Sequence, residues 1–140
     1  MKTLSKGTWR PVAGAMPTIL RQLARSAPVP LPEGYLQQLG VSNGGEGDLG
    51  AEPGWIAFWA AEDVISFNNS YDIASLLPGF FGFGSDGGGE LFAFDTRNGQ
   101  PYPIVAVPFI PMDTSLAIPV SSSFAHLQKL IGQCTDETKD

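Results

Sequence analysis

Apolar positions follow a helical rhythm at the two ends of this chain and short strand-like runs through its middle. From Pro17, suited to a first helical turn because it has no N–H to leave unpaired, Ile19, Leu20 and Leu23 form one stripe of a helix reaching Arg25. Pro28-Val29-Pro30-Leu31-Pro32 then forces an extended segment. Glu33 to Val41 predicts a second helix with Tyr35, Leu36 and Leu39 inward, stopped at Asn43-Gly44-Gly45. The wholly apolar Trp55–Trp59 predicts a buried strand, and Ala61–Asn68 a helix with Glu62 and Asp63 in its first turn. After a turn at Leu76-Leu77-Pro78-Gly79, strands are expected at Phe80–Gly84 and Glu90–Asp95. Asn98-Gly99 predicts a type I′ hairpin to a strand Pro103–Val107, and Pro108 predicts an edge or a bulge there. A last strand, Leu116–Val120, leads through Ser121-Ser122-Ser123, any of which can cap a helix Phe124–Ile131. Residues 1–16 show no sustained period and are expected as an extended arm. Helices at both ends of a run of strands define the class as α+β.

The stretch FGFGSDGGGELFAFD, residues 81–95, contains G-x-G-x-x-G letter for letter. A dinucleotide fingerprint needs those glycines to open a helix whose N–H groups hold the pyrophosphate. Here Glu90-Leu91-Phe92-Ala93-Phe94-Asp95 follows, an aromatic-rich strand. No G-K-[ST] is present, so a P-loop is excluded. Ser85 lies one place off the spacing of a nucleophile elbow, and His126 is the single histidine, on the helix face with Lys129 and Gln133. The stretch is therefore read as a turn: Asp86-Gly87 joins two strands whose Phe81, Phe83, Phe92 and Phe94 pack across one sheet face. No catalytic residue, cofactor site or metal site is assigned, and the chain is read as not an enzyme. One histidine and one cysteine cannot make a zinc site. The loop Asn43–Glu52 is rich in oxygen ligands but does not match a calcium loop. Glu62-Asp63, adjacent on a helix, diverge too far for paired acid–base work.

At 140 residues the chain is the size of one domain, long enough to bury roughly 70% of its unfolded surface without staples. Cys134 is the only cysteine, which excludes an intrachain disulfide and favours a reducing compartment. No apolar h-region follows the N-terminal lysines and no run reaches membrane-span length, so a cytoplasmic, non-membrane protein is expected. The net charge is −6, but its distribution says more. From Ser26 to Thr96 there are ten acids and no Lys, Arg or His. Such a field repels phosphate backbones and attracts a basic protein, so nucleic acid is excluded as a partner. The expected contacts are Glu46, Asp48, Glu52, Asp86 and Glu90, with Asp86 and Glu90 flanking an exposed turn; a purely solubilising role for the acids is the alternative.

The ordered set Leu31-Pro32, Tyr35, Asn43-Gly44-Gly45, Asn68, Tyr71, Leu77-Pro78-Gly79, Phe83-Gly84-Ser85-Asp86-Gly87-Gly88-Gly89, Phe94-Asp95 and Ser123-Phe124 resembles the SUKH superfamily. That group includes the yeast cell-wall-assembly regulator and many bacterial immunity proteins. The resemblance covers residues 17–132, leaving an arm at 1–16 and a tail at 133–140. It implies an α+β fold with a central, mainly antiparallel sheet flanked by helices, and a non-enzymatic role. That role is neutralisation of a cognate toxin, often a nuclease, or alternatively a regulatory scaffold that recruits other proteins. The chain departs from the group in its basic first helix, with Arg21 and Arg25, and in its Pro- and Gly-rich arm.

Overall fold

The computed structural model describes residues 2–137. Seven strands form one antiparallel meander in which each strand pairs with the next: β2 (Trp9–Arg10), β3 (Glu46–Asp48), β4 (Trp55–Phe58), β5 (Phe80–Ser85), β6 (Glu90–Asp95), β7 (Ile104–Pro108) and β8 (Ile118–Ser121). A separate two-stranded ribbon pairs β1 (Lys2–Lys6) with β9 (Gln133–Glu137). The expected arm and tail thus contain three strands, and β1 pairs the arm with the tail. Helices α1 (Pro17–Ser26) and α2 (Glu33–Val41) lie where the apolar stripe placed them. Three further helices are α3 (Val64–Ser70), α4 (Ile73–Leu76) and α5 (Phe124–Leu130). The α+β class is shown.

The two sheet faces are buried by different elements. On the inner face, Ile56, Phe58, Phe81, Phe83, Phe92, Phe94 and Ile104 pack against Leu23 of α1, Tyr35 and Leu39 of α2, and Phe124 and Leu127 of α5. Tyr35 is the hub, with ring centroids 5.6, 5.3 and 5.6 Å from Phe83, Phe94 and Phe124. The aromatic quartet expected from the sequence does share this face; Phe83 and Phe94 stack at 4.4 Å. On the outer face, Ile73 of α4 and Leu77 just after it cover Phe80, Leu91, Ala93 and Val107, helped by Trp59, Phe109 and Met112. Gly82 makes that possible, because a Cβ there would stand 2.8 Å from Ile73 Cδ1 and 3.2 Å from Trp59 Cζ3.

Four local expectations change. Residues 61–63 form a turn, so Glu62 and Asp63 precede α3 and do not sit in its first turn. Asn43 holds this turn: its Oδ1 accepts the Ala61 N–H at 2.7 Å, and its Nδ2 donates to Glu62 Oε1 at 2.6 Å. Asn98-Gly99 lies in a longer loop, since Asp95 N already bonds Pro103 O and Asn98 has no positive φ. β7 is an interior strand that ends at Pro108, so the proline terminates pairing without marking an edge. Finally, β3 forms inside a glycine-rich stretch read as loop.

Candidate functional site

The glycine stretch is the β5–β6 hairpin. Asp86 N donates to Glu90 O, while Asp86 Oδ1 accepts the N–H groups of Gly88 at 2.8 Å and Glu90 at 3.0 Å. Gly87 has φ +79, which a side chain would strain, and a Cβ there would stand 3.8 Å from Trp55 Cδ1. The N–H groups of Asp86, Gly87, Gly88 and Glu90 are thus engaged inside the turn and not free for a phosphate. Ser85 Oγ accepts the Gly87 N–H at 3.1 Å. His126 is exposed on α5, its Nδ1 accepting the Ser122 N–H at 3.4 Å. These bonds leave the two side chains serving separate local turns. A hollow of about 430 Å³ between α1 and α3 is lined by Leu23, Ser26, Glu62 and Ile65, with no imidazole to activate a hydroxyl. Among the described residues no three His, Cys, Asp or Glu side chains are grouped to hold a metal ion.

The five acids named as partner contacts occupy one end of the sheet, in different states. Glu46 is exposed on β3 and accepts the Trp55 Nε1–H at 3.1 Å. β2 brings Arg10 into register with Glu46 and lays its guanidinium 5.8 Å from the Trp55 ring. The acidic run is therefore locally answered by a base from outside it. Asp48 is half-buried and accepts the Thr8 N–H at 2.7 Å. Glu52 is exposed in the β3–β4 loop, beside a hollow of about 410 Å³ that Leu4 and Thr135 also line. Asp86 and Glu90 are half-buried, so the expected freely exposed pair is corrected: Asp86 builds the turn, as its two N–H contacts show. Trp55 stands between β3 and the hairpin: it donates to Glu46, and a Cβ added at Gly87 would be 3.8 Å from its ring.

Partial burial, followed by the Asp86 charge, raises the Glu90 pKa above the ordinary carboxylate value. A raised acid pKa means that the neutral form is favoured in the fold, so the cost appears as pH rises through the folded value and vanishes below about 4.3. Glu90→Gln should raise thermal stability at pH 7, by no more than about 0.5 kcal/mol, and lose that advantage at pH 3. Asp86→Lys should lower stability by about 1–2 kcal/mol at pH 7, because two hydrogen bonds to a charged acceptor disappear. Thermal melts of both variants at the two pH values check the pair. The opposite sign holds at Asp95, where the Arg97 guanidinium at 2.9 Å lowers the carboxyl pKa.

Sequence reasoning missed a surface on the outer face. Trp59, Phe67, Tyr71 and Phe109 form a continuous aromatic group. Tyr71 lies 4.8 Å from Phe109 and 6.0 Å from Trp59, nearly parallel to the indole, and Trp59 meets Phe67 at 5.0 Å. Tyr71 remains 45% exposed and the adjoining Ile110 92%. Nothing in the spacing joins positions 71 and 109; only the meander does. This aromatic group lies beside the sheet, on α3 and on the segments that follow β4 and β7.

The domain is an antiparallel meander with helices packed on both faces. The description "SMI1 / KNR4 family (SUKH-1)" matches residues 16–128, and the chain belongs to that family. The family supports a protein-binding role of immunity or regulator type, and its members are generally non-catalytic. No match was found among curated proteins. Among the described residues no helix is long and apolar enough to cross a membrane.

Proposed function

We propose that this chain is a cytoplasmic immunity protein that binds a cognate basic toxin domain, of the nuclease class, and neutralises it by occlusion. One observation carries the reading. Of the ten acids between Ser26 and Thr96, Glu33, Glu46, Glu52, Glu62, Asp63 and Asp72 stand exposed, with no base in the same span. A nuclease must present cations to a phosphate backbone, and an acidic protein surface competes for those cations. The acids steer the encounter, and Glu46 and Glu52 are the two expected contacts left exposed to make it.

The test is the association rate with a basic toxin domain encoded beside this chain. That rate should exceed the uncharged expectation by about 10- to 1,000-fold at low salt. It should fall steeply towards 0.15 M, where screening acts over ~8 Å. Glu46→Lys with Glu52→Lys should slow association, and Glu52→Lys alone should do so in part with little change in melting temperature, since the exposed Glu52 side chain has no hydrogen-bond partner among the described residues. A rate indifferent to salt and to both reversals overturns electrostatic steering.

A further inference from the structure

We infer that the aromatic shelf made by Tyr71 and Phe109, with Ile110 beside it, docks an arginine-bearing segment of a partner protein. The inference rests on the protein-binding reading and names where the partner anchors. It starts from how this molecule already handles guanidinium groups. Arg97 lies 4.8 Å from the centroid of Phe80 while Asp95 takes it by both oxygens at 2.9 Å. Arg10 lies over Trp55 with Glu46 opposite it in register. Each time, a ring supplies the face and an adjacent carboxylate supplies the charge.

At the shelf two rings stand with no cation of this chain over them among the described residues, and the acids are their neighbours in sequence. Tyr71 and Phe109 present two rings 4.8 Å apart, backed by Trp59, and Asp72 directly follows Tyr71. Asp113 stands on the loop that leaves Phe109, its carboxyl pKa held low by the Ser115 N–H. Residues 59–77 and 103–121, which carry the shelf, hold four acids and no Lys, Arg or His. Among the described residues no arginine of this chain lies over Tyr71 or Phe109. An exposed Tyr at the end of α3, packed on Phe109 with an almost fully exposed Ile next in the chain, has the character of a binding hot spot. The charge around it selects a cation, and the two flat rings select the planar one. A lysine ammonium would gain the charge but not the stacking.

The experiment titrates the full chain with a hexa-arginine and, separately, a hexa-lysine peptide, followed by amide and indole NMR shifts. The arginine peptide should shift the Tyr71, Phe109 and Ile110 amides and the Trp59 indole, and bind at least about 5-fold more tightly than the lysine peptide. Tyr71→Ala should bring the two affinities together. Ile110→Arg, at a position too exposed to affect folding, should do the same by placing a resident cation at the shelf. Equal affinity for both peptides, shifts confined to the Glu46 and Glu52 surface, no binding at all, or no effect of Ile110→Arg would each overturn the inference. No toxin enters this test, so its failure leaves the immunity reading standing, and a failed toxin assay leaves the shelf result intact.

Discussion

Phe83→Ala should destabilise the domain by about 3–5 kcal/mol, the usual cost of deleting a buried phenyl ring. At this size that corresponds to roughly a 10–20 °C fall in melting temperature. Phe83 is fully buried on the inner face and touches the rings of Tyr35, Phe58, Phe92, Phe94 and Phe124, so no single neighbour can relax into the void. The companion variant Tyr35→Phe should behave oppositely. The Tyr35 hydroxyl is fully buried with no hydrogen-bond partner among the described residues, and burial drives its pKa strongly upward. Removing an unpartnered hydroxyl while keeping the ring should leave stability unchanged or raise it by up to about 1 kcal/mol. A loss at Tyr35→Phe comparable with that at Phe83→Ala would mean that the hydroxyl is hydrogen-bonded after all. Chemical denaturation of both variants decides the matter.

Asn68→Leu should cost about 2–5 kcal/mol, although the residue replaced is polar and only half-buried. β4 stops at Phe58, so the edge of β5 beyond it has no strand to pair with. The Asn68 side chain stands in for that strand. Its Oδ1 accepts the Gly82 N–H at 2.9 Å, and its Nδ2 donates to Gly82 O at 2.8 Å and to Val64 O at 2.8 Å. Leucine leaves the Gly82 N–H and C=O stranded against a buried sheet, at about 1–3 kcal/mol each. Asn68→Asp isolates the donor's share, since it keeps an acceptor for Gly82 N–H but turns a carboxylate towards two carbonyls. Its deficit should narrow as pH falls and the carboxyl protonates. Equal stability of Asn68→Leu and wild type would show that the edge is satisfied some other way.

The two cases mark what the chain's letters disclose. Helices α1 and α2 and strands β4 to β6 bury aliphatic or aromatic side chains at regular spacing, and regular burial is what a hydrophobic pattern records. β3 is Glu46-Gly47-Asp48, and it forms because its backbone fits between β2 and β4. No side-chain rhythm could announce it. β1 and β9 find each other across the whole chain, a pairing that no local window contains. Asn68 is visible as a letter in the family resemblance, but its partner lies fourteen residues away and is a backbone, so its task is not. The functional surface divides in the same manner. The acid-rich span could be counted directly, whereas Arg10 beside Glu46, the turn-building role of Asp86 and the meeting of Tyr71 with Phe109 all depend on strand order. Short-range chemistry is legible in sequence; charge that is neutralised across a sheet is not.

The central claim, that this domain acts by occluding a basic toxin, is tested most directly by titrating the purified chain into the nuclease activity of a toxin domain encoded beside it. The account predicts complete inhibition at one equivalent, with no cleavage of substrate or toxin by the chain itself. It also predicts that Glu52→Lys shifts the curve to higher concentration while the variant melts like the wild type. Full toxin activity in the presence of excess folded chain would contradict it.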